Sequence, residues 1–211
     1  MIRLFFILGV SVYFSSNIQA KPLSNQELAK IQAKMKAHKF VSLKFEQTRF
    51  KSLRKKEVKS TGSALFKTPN KFVWSLDHSQ QAWIFDGRTL LHYDKVKKAA
   101  VGYGNTAAKG KELRKIIALV TRFDHLQKDY MINGAEQTGD ILSLSMAPHH
   151  KTGELKSVEV KFDTDKHHIT FLKLKFAAGN YSSFRFFGRD TKDISDATFS
   201  VPKGTKIKEV R

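Results

Sequence analysis

Apolar and polar residues alternate along most of the chain from residue 40 onwards, and this period predicts β-strands with one buried face. In the first such segment Val41, Leu43 and Phe45 alternate with Ser42 and Lys44. Ten or so short strands in a row predict a mainly β (α+β) protein with a single large antiparallel sheet, which must curl or close at that width. The same pattern predicts further strands over residues 62–66, 72–76, 81–85, 88–93, 95–103, 129–137, 141–146, 156–162, 169–176, 181–187 and 198–201.

Two segments have helical periodicity instead. Ser24 can cap the first helix, and Glu27, three residues later, can return the hydrogen bond in a capping box. The apolar residues of each helix are spaced by three and four, which places them on one face. Two helices are too few for a core of their own, so we expect them to plug or lid the concave side of the curved sheet. The lid residues are Leu28, Ile31 and Met35 in the first helix and Leu113, Ile116, Ile117 and Val120 in the second.

The first twenty residues differ from the rest of the chain. Arg3 precedes an apolar run over residues 4–14, and small or polar residues follow as far as Ala20. This order predicts a secretory signal peptide, residues 1–20, cleaved after Ala20. An uncleaved membrane anchor is the alternative, but the run falls well short of the ~20 residues that span a bilayer. We therefore expect an exported, periplasmic protein with one mature domain, residues 21–211.

The amino-acid composition and the absence of known motifs exclude several classes of catalytic and metal site. There is no cysteine, which excludes disulfides, thiol catalysis and thiolate metal sites and leaves no residue to lipidate at the cleavage site. Nucleophile elbows, phosphate-binding glycine loops and zinc-protease motifs are also missing, so we expect neither an enzyme nor a cofactor. Seventeen phenylalanines suit an apolar interior or cavity.

The chain is strongly basic. Its formal charge is +19, or +18 once Arg3 leaves with the signal peptide, and residues 21–80 hold fourteen Lys and Arg against four Asp and Glu. Such a charge favours anionic partners, an anionic membrane surface among them, and export makes nucleic acid a poor candidate. The segment with Arg54, Lys55 and Lys56 lies between two predicted strands. It is either a solvated hairpin tip or a contact with a membrane or partner.

Two histidine pairs are the remaining candidates for metal ligands, His149-His150 and His167-His168. Adjacent residues on a strand point to opposite faces, so neither pair presents two ligands to one metal unless it lies in a loop. Both pairs are close to predicted turns. The pattern favours solvated loop histidines over a metal site.

Five motifs occur in order along the chain and together resemble the periplasmic lipoprotein carrier family LolA. They contain, in turn, Phe-x-Gln, Gly followed by Pro-x-x-Phe-x-Trp, Asp-Gly-x-x-Leu-x-x-Tyr-Asp, Leu-x-x-x-Pro and Phe-x-x-Pro-x-Gly. One departure is Thr68, which stands where the family commonly has an arginine that bonds to the lid. The motifs lie at residues 43–47, 62–74, 86–94, 144–148 and 199–204.

The resemblance implies an incomplete, open β-barrel of about eleven strands, lidded by helices, that holds acyl chains in its cavity. It also implies a monomer that accepts lipoprotein cargo from an inner-membrane transporter and delivers it to an outer-membrane acceptor. A carrier of another lipid or glycolipid, and a periplasmic sensor or scaffold that detects lipoprotein, are the alternatives. Phe72 and Trp74 share a face and match the family's cavity strand, although ordinary core packing explains them equally well. We expect the cavity to be formed by Phe45, Phe72, Trp74, Trp83, Phe85, Leu90 and Phe171.

Overall fold

The computed structural model of the chain describes residues 21–34, 40–68, 70–104, 119, 126–149 and 154–210. The predicted signal peptide lies outside these ranges, as do Met35 and the four lid residues of the second predicted helix. None of the helices within these ranges is long and apolar enough to cross a bilayer.

The described residues form one sheet of thirteen strands, in the order β1-β8-β9-β10-β11-β12-β2-β3-β4-β5-β6-β7-β13. Neighbours pair antiparallel, as predicted, except that β13 runs parallel to β7. The edge strands β1 and β13 do not pair, so the sheet is not closed into a barrel. The strands are β1 (Lys21–Pro22), β2 (Phe40–Lys51), β3 (Lys56–Lys67), β4 (Lys71–Leu76), β5 (Gln81–Phe85), β6 (Leu90–Asp94), β7 (Ala99–Tyr103), β8 (Tyr130–Thr138), β9 (Ile141–Pro148), β10 (Leu155–Asp163), β11 (His168–Phe176), β12 (Tyr181–Asp190) and β13 (Lys206–Val210).

The sheet is strongly curved. Strands β12 and β4 are separated by β2 and β3, so a flat sheet would hold them ~14 Å apart at ~4.8 Å per strand. The ring centroids of Trp74 on β4 and Phe184 on β12 are nevertheless 5.3 Å apart. The face that carries these rings is therefore concave, and we call it the inner face.

The first helix, α1 (Asn25–Lys34), begins as the sequence predicts. Ser24 Oγ accepts a hydrogen bond from the Glu27 backbone N–H at 3.3 Å, and Glu27 Oε2 accepts one from the Ser24 N–H at 3.0 Å. This capping box satisfies donors that the first helical turn leaves unpaired. Leu28 is buried in the inner-face core. Leu126 of the short helix α2 (Leu126–Asp129) joins the same core.

The C-terminal segment, residues 191–205, packs on the outer face. Phe199 is buried against Phe40, with ring centroids 6.4 Å apart. Asp196 forms ion pairs with the ammonium groups of Lys67 at 2.7 Å and Lys71 at 3.1 Å. The hydrogen bonds from these two lysines hold the pKa of Asp196 below its ordinary value. Lys67, next to Thr68, therefore anchors the C-terminal segment.

The end of the chain corrects one predicted strand. Residues 198–201 were expected to be extended, but Asp196–Phe199 form a turn of 3-10 helix that Ser195 caps by accepting from the Ala197 N–H. The last strand is instead β13, at the sheet edge. Its residues are all exposed, so alternation in its sequence carried no burial signal.

Candidate ligand cavity

An aromatic cluster forms the floor of the inner face. The indole of Trp74 stacks on the ring of Phe45 with centroids 4.0 Å apart, and the ring of Phe184 meets that indole edge-on at 5.3 Å. Gly62 makes room for this arrangement, because a Cβ there would lie 2.4 Å from Phe45 Cζ and 2.2 Å from the Ser75 carbonyl oxygen. The glycine that the sequence places before the Pro-x-x-Phe-x-Trp motif is thus required by close packing.

Above this floor lies a cavity of about 320 Å³. Its wall combines apolar side chains from β3, β4, β5, β11 and β12 with polar side chains from β2, β5, β6, β12 and the β4–β5 turn. A pocket of this kind, mostly apolar with a few polar groups, suits a small amphiphilic ligand. The apolar lining is Phe66, Trp74, Leu76, Trp83, Leu174, Phe176 and Phe184, and the polar lining is Gln47, Arg49, Ser79, Gln81, His92 and Ser182.

Six of the seven predicted cavity residues belong to the inner-face core or pack against it. Trp74 and Trp83 line the cavity directly, and Trp83 stacks on His92 with centroids 4.3 Å apart. The other residues are fully packed rather than exposed to the cavity. Val73, between two inner-face residues, packs instead with the outer-face cluster, which confirms the predicted alternation of faces on β4. The packed residues are Phe45, Phe72, Phe85 and Leu90.

The prediction for Phe171 is wrong about the face. Phe171 lies opposite Lys161 on β10 and Arg185 on β12, which places it on the outer face. A bulge is the cause, since β11 has one extra residue, Thr170, between the partners of Lys161 and Phe162. Leu174, three positions further along β11, lines the cavity.

The polar half of the wall was not predicted. Gln47 and Arg49 continue the alternation of Leu43 and Phe45 along β2, so their place on the inner face could have been read from the sequence. Phe184 lies in the Tyr181–Phe187 segment that the sequence predicted to be a strand. That segment has aromatic residues on both faces, which hid which of them point inward.

Sequence comparison agrees with this architecture. The model of a family described as outer membrane lipoprotein carrier protein LolA matches residues 36–202, well over half of the chain. The chain belongs to the LolA family. No curated protein matches its sequence.

Solved structures share the LolA-like fold at low sequence identity. An uncharacterized conserved protein from Thermus thermophilus is 8% identical with a TM-score of 0.52, and the match covers 89% of this chain and 100% of that one. A DUF1329 family protein from Desulfovibrio piger is 8% identical with a TM-score of 0.50, covering 82% and 95%. A LolA superfamily protein from Nitrosomonas europaea is 10% identical with a TM-score of 0.44, covering 84% and 98%. At these identities the first two matches show a common fold and nothing more.

The basic segment of this LolA-family chain forms the tip of the β2–β3 hairpin. Ser52–Arg54 make one turn of 3-10 helix, and Lys55 follows in the left-handed region at φ 44°. Arg54, Lys55 and Lys56 are exposed, and the side chain of Leu53 beside them is 94% exposed. Ser52 fastens the tip to the β11–β12 turn, because its N–H donates to Asn180 Oδ1 at 3.0 Å.

His149 lies in a bend after β9, His167 lies in the turn before β11, and His168 is the first residue of β11. His149 Nε2 is 2.9 Å from the Gln127 carbonyl oxygen, and His167 adopts a positive φ just before β11. His150 lies outside the described residues. Within the described ranges, no three His, Asp or Glu side chains come together as a metal site.

Proposed function

We propose that this chain is a periplasmic carrier that shelters the acyl chains of lipoproteins in its inner-face cavity and moves them from the inner to the outer membrane. The observation that carries the proposal is the apolar cavity, bounded by Trp74, Trp83 and Phe184 on the concave side of an open sheet. Membership of a family described as lipoprotein carriers supports it.

The energetics of acyl transfer require such a cavity. Each methylene exposed to water costs ~0.8 kcal/mol, so a long acyl chain costs on the order of 10 kcal/mol in an aqueous compartment. A cavity of about 320 Å³ falls within the range of natural ligand pockets, ~300–1,000 Å³. The open edge between β1 and β13 allows the sheet to widen around cargo without breaking strand pairs.

The predicted signal peptide supports a periplasmic site of action. The partners on this proposal are an inner-membrane lipoprotein-releasing transporter, the acylated cargo itself and an outer-membrane acceptor. The exposed hairpin tip, with Arg54, Lys55 and Lys56 around Leu53, is the proposed contact with an anionic membrane surface or an acidic partner. Charge of this kind acts mainly on the rate of encounter.

A pair of neighbouring substitutions tests the cavity. Trp74→Gln puts an amide into the apolar wall and removes the ring that stacks on Phe45, whereas Val73→Gln changes the outer face of the same strand. We expect Trp74→Gln to weaken the binding of a fluorescent fatty-acid probe by about tenfold, and Val73→Gln to leave it unchanged. Phe72 is unsuitable because it is completely buried and a polar group there would destabilise the fold.

Thermal melts by circular dichroism establish that both variants are folded at the assay temperature. Equal probe affinity in wild type and Trp74→Gln would show that the probe does not bind in the cavity. A second assay measures lipoprotein transfer from inner-membrane vesicles to outer-membrane vesicles. If Trp74→Gln is inactive in this assay and Val73→Gln is active, the cavity is needed for carriage as well as for binding.

A further inference from the structure

Charge is sorted between the two faces of the β2–β3 hairpin. Arg49 lines the cavity, and the same inner face continues towards the tip with Lys51 and Lys56, which lie directly opposite each other. Among the described residues, none of these three cations forms an ion pair. A basic strip therefore leads out of the apolar cavity.

The carboxylates of the same hairpin are on the other face. Glu46 lies opposite Arg185 and forms an ion pair with its guanidinium, and Glu57 accepts a hydrogen bond from the Tyr181 hydroxyl. Both acids are thus engaged on the outer face, away from the cavity. Of the described residues that line the cavity, none is Asp or Glu.

Arg49 is therefore a cation beside an apolar cavity with no carboxylate of the described chain to neutralise it. Gln47 and Ser182 lie next to it in the wall and add neutral hydrogen-bonding groups. A guanidinium presents its N–H donors as a planar fork that matches two oxygens of a phosphate or a carboxylate. If Arg49 were only a solvated surface residue, nothing would require the two carboxylates of the hairpin, Glu46 and Glu57, to lie on the opposite face.

We propose that the cavity takes an anionic amphiphile, with its acyl chain on the aromatic floor and its phosphate or carboxylate bound by Arg49 at the mouth. The acyl part rests on the proposed carrier function, and the head-group site is new. Lys51 and Lys56 then form the path by which an anionic head group approaches from the hairpin tip. Trp74 and Phe184 contact the chain, and Arg49 selects the head group.

The test compares monomeric ligands with the same ten-carbon chain by isothermal titration calorimetry: decyl phosphate, decanoate and decanol, together with inorganic phosphate. We expect wild type to bind decyl phosphate and decanoate about tenfold more tightly than decanol, as a charge-assisted hydrogen-bonded pair allows. Arg49→Gln should abolish this preference by weakening the binding of the two anions more than that of decanol. Arg88→Gln, a matched charge change at the exposed β5–β6 turn, should keep it.

The outcomes separate the two proposals. Equal affinity of wild type for decanol and the two anions overturns the head-group site and leaves the acyl carrier standing. Failure of every ten-carbon ligand to bind wild type overturns the acyl cavity itself. An equal loss of decanol and decyl phosphate binding in Arg49→Gln assigns Arg49 to the shape of the wall, against the proposal. Inorganic phosphate that binds as tightly as decyl phosphate identifies a free-anion site, which also overturns it.

Discussion

The two faces of this sheet are packed by different means. The inner face buries one continuous core that reaches across ten of the described strands and is closed by side chains such as Leu28, Leu119 and Leu126. The outer face has a small cluster around Ile84 and Leu91, and its cover is the C-terminal segment, fastened by Phe199 and Asp196.

This difference in packing assigns ligand binding to the inner face and a purely stabilising role to the outer face. On the inner face the packing stops short near Trp74 and Trp83 and leaves a cavity, so part of that apolar surface is available to a ligand. On the outer face the C-terminal segment buries Phe199 completely and fixes the convex side. Changes to the outer face should therefore affect stability with little effect on ligand affinity.

The largest expected effect comes from the outer face. Phe199→Ala removes a fully buried ring that packs on Phe40 and should lower the free energy of unfolding by about 3–5 kcal/mol. Urea unfolding measures the loss, and the exposed neighbour Thr198→Ala is the control. Affinity of the folded fraction for a fatty-acid probe should not change. A loss below ~1 kcal/mol would show that the segment is not a structural cover.

The inner face is tested at Gly62. A Cβ at this position would overlap the Ser75 carbonyl oxygen and the Phe45 ring, so Gly62→Ala should cost about 1–3 kcal/mol of unfolding free energy through overpacking. Gly134→Ala on β8 is the matched control, because the nearest atoms to its Cβ would be 3.9 Å away. Gly62→Ala should also weaken probe binding, since Phe45 supports the stacked Trp74. Equal stability of the two variants would contradict this account.

Strand alternation predicted most of the sheet because an inner-face position, once identified, repeats every second residue. On β4 the pattern placed Phe72 and Trp74 on one face and Val73 on the other, and the structure agrees. The capping box at Ser24 and Glu27 was readable because it depends only on local spacing.

The failures have physical causes too. The bulge at Thr170 inserts one residue, so Ile169 and Phe171 lie on opposite faces of the sheet. The local sequence does carry a signal, since Leu172, Leu174 and Phe176 alternate with two lysines and put Phe171 on the lysine face, but the prediction did not use it. Strand β13 is exposed throughout and gains its place by parallel pairing with β7, a long-range contact that the sequence pattern does not encode. The polar wall of the cavity was missed because the predicted lining was chosen from apolar residues alone. A polar residue at an inner-face position, such as Arg49, was therefore interpreted as solvated surface.

The outer face also carries a polar cluster near the β10–β11 turn. Asp163 and His168 lie opposite each other at this end of the two strands. Burial lowers the pKa of His168, and the positive charge of Arg189 adds to the effect. Burial alone would raise the pKa of Asp163, but the backbone N–H and the ammonium of Lys166 hold it below its ordinary value.

The smallest expected effect is a pH dependence that comes from this cluster. Because the folded chain holds His168 at a lowered pKa, the unfolded chain binds more protons near pH 6, and stability should fall as the pH drops from about 8 through the ordinary histidine value of 6.5 towards the lowered one. The lowered pKa of Asp163 also contributes to the free energy of unfolding. That contribution is fully present above about pH 4 and is lost only as the pH falls through the lowered pKa, so it stays constant while His168 titrates. Urea midpoints measured between pH 8 and pH 5 should therefore show a slope that His168→Gln reduces. An unchanged slope in His168→Gln would assign the pH dependence to another group.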